Sequence, residues 1–193
     1  SSVSSSSIGE ENNENLPGML IGLQELEERI ITERTTKCNT TQLRPSIIDI
    51  VGCDITIDDI QSTKRELLNQ RFDLKMDVNK WQHFNGWWVT PLLHFCISGN
   101  LLIIKLLLLI GADCTRLCEY NYWFPMLAAA AHGHLDICKW LFEYGGDAKY
   151  QINKETITGV TPLWRSYNAW WSGYDNEGKT WRWLLRNGGG QHL

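Results

Sequence analysis

His94, His132, His134 and Cys138 are the first residues to weigh, because imidazole and thiolate groups bind zinc and activate nucleophiles. Their spacing argues against both roles. His132 and His134 with Cys138 four residues on match no established zinc-ligand spacing. His94 and Cys96 lie two apart, with no third group to orient a Cys–His pair. Asp49, Asp54, Asp58 and Asp59 lack the glycine and closing glutamate of a calcium loop. Capping by Asp58, Asp59 or Ser62 of the helix that follows is the simpler reading. No phosphate-binding glycine loop, nucleophile elbow, kinase signature or HExxH occurs. Gly188-Gly189-Gly190 follows no strand and reads as a stop. The sequence therefore predicts no catalytic residue, no metal and no cofactor.

The six cysteines are scattered without a CxxC, which fits reduced thiols in an intracellular protein, cytoplasmic or nuclear. One glycosylation triplet, Asn39-Thr40-Thr41, carries little weight. The chain starts with serine and shows no secretory signal, as a fragment or processed product would. No apolar stretch reaches the length of a membrane span, and the longest, Leu101 to Ile110, is broken by Lys105. Formal net charge is −4, so neither nucleic acid nor an acidic membrane is an expected partner. Residues 81–193 carry all ten tryptophans. They hold 8 acids and 9 bases, whereas residues 1–80 hold 14 acids and 9 bases.

Residues 1–18 are rich in Ser, Asn and Glu and predict a disordered tail. Met19, Leu23, Leu26 and Ile30 recur on one helical face. This predicts an amphipathic helix docked on its own domain, since barely two heptads are too few for a coiled coil. A linker follows to residue 46. Ile55 and Ile57 alternate with polar residues and predict an extended segment; a helix then runs from Ile60 or Ser62 to Phe72 with Leu67 and Leu68.

Internal repetition organises the rest. Thr90-Pro91-Leu92, Phe124-Pro125-Met126 and Thr161-Pro162-Leu163 start three blocks at offsets of 34 and 37 residues. Gly99-Asn100-Leu101 and Gly133-His134-Leu135 each follow nine residues after a block start. Ile104-Lys105-Leu106-Leu107, Cys138-Lys139-Trp140-Leu141 and Trp181-Arg182-Trp183-Leu184 come next, before Gly111-Ala112-Asp113, Gly145-Gly146-Asp147 and Gly188-Gly189-Gly190. Thr before Pro is a helix N-cap with proline in the first turn, where its missing N–H costs nothing. Gly99, Gly133, Gly111 and Gly145 suit helix stops.

The pattern resembles the ankyrin repeat over residues 85–190. That resemblance implies an all-α solenoid of stacked helix–turn–helix pairs, about three repeats, with a helical N-terminal extension. Residues 47–84 then form an N-terminal region, a degenerate capping repeat in part. The third repeat departs from the pattern: it lacks the Gly-His-Leu turn and is longer by six residues around Trp170 to Lys179. His134 falls where the family's turn histidine ties down the loop.

The resemblance implies a non-catalytic protein–protein interaction module. Its concave face is built from first helices and fingers. By position it presents His94, Ile97, Ser98, Ala128, Ala131, His132, Arg165 and Asn168, with Tyr120, Tyr122 and Trp123 on a finger. His94, His132 and Arg165 are expected to tolerate alanine with little loss of stability. The alternative is a regulatory or substrate-recruiting module of a larger enzyme or channel. Trp140 and Trp183 are expected in the packing. Trp170 and Trp171 read equally as an interface anchor and as a lid over the irregular repeat.

Overall fold

The computed structural model of the chain describes residues 18–36, 56–69, 78–84, 86–118, 122–175 and 177–190. Residues 1–17 of the expected tail 1–18, most of the linker and Ile55 lie outside them, and Gly18 begins the first helix.

Helix α1, Gly18–Thr36, packs on α2, Ile57–Asn69, and on the second helix of the first repeat. Leu23, Leu26 and Ile30, three residues of the expected apolar face, are buried. Each contributes about 1.5–3 kcal/mol by leaving water. Gly22 is the closest approach, since a Cβ there would stand 3.0 Å from Ile110 Cβ. Lys64 and Glu27 pair at 3.0 Å across the two helices.

Helix α2 corrects two expectations. Ile57 begins the helix rather than lying in an extended segment. The cap is Thr56, not an aspartate or Ser62. Asp59 accepts from the Thr56 N–H at 2.6 Å, and the Asp59 N–H donates to the Thr56 hydroxyl at 3.2 Å. This reciprocal capping box holds the Asp59 carboxyl below its ordinary range, chiefly through the Thr56 backbone bond.

A short antiparallel hairpin enters the stack: β1, Gln82–Phe84, pairs with β2, Trp87–Val89, with His83 opposite Trp88. Three pairs of helices follow. They are α3, Pro91–Ser98, with α4, Leu101–Leu109; α5, Pro125–Ala131, with α6, Leu135–Tyr144; and α7, Pro162–Trp171, with α8, Lys179–Arg186. The first helices pack successively, α3 on α5 and α5 on α7. The architecture is an all-α solenoid.

The Thr-Pro starts act as the residue types require. The Thr90 hydroxyl accepts from the Leu93 N–H at 3.3 Å, and Thr161 accepts from Trp164 at 3.2 Å. Phe124 caps nothing and is instead sealed in the core. Gly99 ends α3 with a left-handed φ of 85°. After the second helix of the second repeat, α6, the left-handed residue is Gly146 (φ 56°), and the expected Gly145 has φ −77°. A 3-10 helix, Gly146–Asn153, fills what the sequence left as a loop.

Polar side chains tie one repeat to the next. Asn79 donates to the Gly111 carbonyl at 2.9 Å and accepts from the Asp113 N–H at 2.6 Å. Asn153 repeats the clasp on Gly188 and Gly190, both at 2.8 Å. Between them the Cys114 thiol donates to the Gly145 carbonyl at 3.0 Å. Gln151 receives the Met126 N–H and donates to the Cys114 carbonyl. These bonds satisfy helix-end groups that would otherwise be orphaned. The core runs from Leu23 to Leu184, and α5 is its most enclosed element, with Pro125 to Ala130 all buried. Trp140 is in that core and Trp183 packs against it, edge-on to Phe142 at 5.6 Å.

Candidate functional site

The first helices and the finger before α5 bring Trp123, His132 and Arg165, three of the expected positions, together. The finger closes on itself: the Cys118 N–H donates to the Trp123 carbonyl at 2.8 Å, and the Tyr122 N–H to the Cys118 carbonyl at 3.1 Å. That turn holds Tyr122 at φ 53°, the sole non-glycine residue with positive φ among the described residues. Such a backbone costs on the order of 1–2 kcal/mol. It leaves Tyr122 exposed and turns Trp123 toward α7.

Arg165 leaves α7 under this finger. Its guanidinium carbon lies 5.0 Å from the Trp123 ring centre and 6.0 Å from that of Trp164. His132 also meets Trp123, at 6.3 Å between ring centres. Tyr174 meets His132 edge-on at 6.1 Å, and His134 stacks on it at 6.1 Å. A continuous cation–aromatic row therefore spans the second and third repeats. His132 is held below its ordinary range, first by burial, then by His134 and Arg165, and it is neutral at pH 7.

His134 does tie down its turn, and it does so across repeats. Its Nε2–H donates to the Ile97 carbonyl at 2.9 Å, which fixes the tautomer. The ring lies over Gly99, where a Cβ would stand 2.6 Å from Cε1. Among the described residues, no group of three His, Cys, Asp or Glu side chains gathers as a metal site would.

The other expected positions divide. Ser98 is exposed, and Ile97, Ala131 and Asn168 are half-buried. Ala128 is fully buried, a correction: the close approach of α3 and α7 to α5 leaves no surface there for a partner. His94 is also a correction, only 9% exposed and edge-on to Phe95 at 5.0 Å. Its removal disturbs the interior, so it is not a free surface position. Tyr120 lies outside the described residues. Trp164 and Tyr174 were missed. The signal for them was the aromatic density of the third repeat, where helical spacing could not say which rings face out. Trp170 packs with Tyr167 and Trp181, while Trp171 is 78% exposed.

A family model of ankyrin repeats, in three copies, matches residues 62–155 and 92–188. The chain belongs to the ankyrin-repeat family. No curated protein matches it. Ankyrin repeats are generally protein–protein interaction modules. In this ankyrin stack the third repeat replaces the Gly-His-Leu turn with a longer first helix and a loop. In that loop Asp175 accepts from the N–H groups of Lys179 and Thr180, at 3.3 and 3.0 Å. The loop lies on the second ankyrin turn, where a Cβ on Gly133 (φ 72°) would stand 2.9 Å from Asp175 Cβ. That seat places Tyr174 beside His132. Among the described residues, no helix is long and apolar enough to cross a membrane.

Proposed function

We propose that the chain is a non-catalytic adaptor that binds a protein partner on the concave face of residues 85–190, with α1 covering the first repeat. The observation that carries this reading is the row Tyr174, His132, Trp123 and Arg165. Four residues from α7, the finger and two turns meet at the margin of the apolar core, where Trp123 packs against it and polar His132 and Arg165 are not called for by packing alone. Large aromatic and arginine side chains at such places are the usual anchors of interfaces. Ile97, Ser98, Ala131 and Asn168 extend the face along the first helices. A protein rather than nucleic acid fits the near balance of 8 acids and 9 bases in residues 81–193. An intracellular setting fits the reduced thiols, outside any disulfide, of Cys96, Cys114, Cys118 and Cys138.

Site-directed photo-crosslinking tests the face. A photoreactive side chain at Ser98 and another at Asn168 should capture the same protein from cells. The same group at Lys139, exposed on α6, should not. Capture from Lys139 alone would reverse the assignment.

A further inference from the structure

We propose that Arg165 reads a single carboxylate, an aspartate or glutamate side chain of the partner protein. This rests on the concave-face reading above and gives that partner its chemistry. Arg165 is half-buried between Trp123 and Trp164, and its Nε is enclosed without a hydrogen-bond partner. Among the described residues no carboxylate pairs with it. The ion pairs found are Lys64 with Glu27 and Lys179 with Glu177. Asp175, in the neighbouring loop, spends its oxygens on the backbone of α8. A guanidinium held beside two indole rings with its Nε donor unmet offers a planar fork to an anion, at reduced cost in side-chain entropy. The rings beside it displace part of its water and so strengthen an ion pair formed there.

The charge balance selects the class of anion. His132, the other basic member of the row, is neutral at pH 7, because burial, His134 and Arg165 all disfavour its protonation. Within the row Arg165 alone carries a positive charge. A carboxylate matches it and binds a guanidinium in bidentate fashion. A phosphorylated side chain carries about −1.5 to −2 and calls for several arginines.

The test uses the full chain and a displayed library of random short peptides, whose enriched members are resynthesised. They should share one Asp or Glu. Its change to Asn or Gln should weaken binding about ten- to a hundredfold, the weight of a hydrogen bond to a charged group. Arg165→Gln should cost the same factor, and the two changes together no more than either alone. Arg165→Lys should recover only part, since it keeps the charge and loses the fork. The acid-to-amide comparison on the unaltered chain decides the matter even if Arg165→Gln does not fold. Enriched peptides without an acid, or an amide that binds equally well, would overturn the proposal. So would a phosphoserine peptide that binds far more tightly than its glutamate counterpart. Ser98→Trp and Asn168→Trp separate the two readings. If they block binding while the amide has no effect, the face stands and the carboxylate falls. If binding is acid-dependent but indifferent to both, the carboxylate stands and the face falls. If no peptide is enriched, both fall.

Discussion

Burial pushes His94 from its ordinary 6.5 down to about 4, and this ties the stability of the stack to pH. Between those values the unfolded chain binds more protons than the native one. Stability is therefore full above pH 6.5, is lost as the pH falls toward 4, and levels off below. The loss is at most on the order of 3 kcal/mol, reduced by whatever water screens. His132 is lowered by burial as well and acts in the same direction. The urea midpoint should be lower at pH 5 than at pH 7, and His94→Gln should shrink the difference. An unchanged midpoint across that range in the native sequence would count against a neutral, enclosed His94. The sequence places this residue on the right helix, one position past the usual histidine. Its burial is set by neighbours distant in the chain, and a local TPLLH spacing carries no record of them. The same limit hid the contact of Trp123 with Arg165, 42 positions apart, although each residue was singled out for the face.

Helix ends were legible where a local rule decides them. Thr90 and Thr161 cap as any Thr before Pro should, and the cap needs nothing beyond four consecutive residues. The sequence does not single out Thr56 because three nearby acceptors, Asp58, Asp59 and Ser62, compete for the role, and only the backbone direction picks the winner. The hairpin was invisible for a different reason: strands of three residues show no alternation. The third repeat shows its departure in sequence but not the remedy. Asp175 replaces the lost turn by capping α8, and it is only 9% exposed. Asp175→Ala should cost about 1–2 kcal/mol, and Asp175→Asn less, because an amide oxygen still accepts one N–H. Chemical denaturation of the three proteins measures it. Equal stability in all three would mean that the loop is held by its rings rather than by this cap.

Across the molecule the repeats stack in one dimension, so each draws its stability from its neighbours. The two ends are unlike. At the first repeat α1 covers the stack with Leu23, Leu26 and Ile30. At the third repeat Trp164 and Tyr167 occupy positions held by Leu93 and Cys96 in the first and by Leu127 and Ala130 in the second. Those four are sealed by the following repeat, whereas Trp164 is 51% exposed and Tyr167 46%. The period in the sequence reveals the stack; it says nothing of how much each repeat is covered, which depends on what lies beyond it. Coverage should set a gradient of local opening. In α5 the residues from Pro125 to Ala130 are all buried, whereas α8 buries only Thr180 and Leu184. Amide hydrogen exchange should therefore be slowest in α5 and in the buried turns of α3 and α6, and fastest among the helices of the stack in α8. Leu107→Ala, at a side chain 1% exposed in α4, should cost about 2–5 kcal/mol. It should speed exchange in α3 to α6 more than in α8, since α8 already opens on its own. If α8 exchanges as slowly as α5, and both respond alike to Leu107→Ala, the three repeats open as one unit and the gradient does not exist.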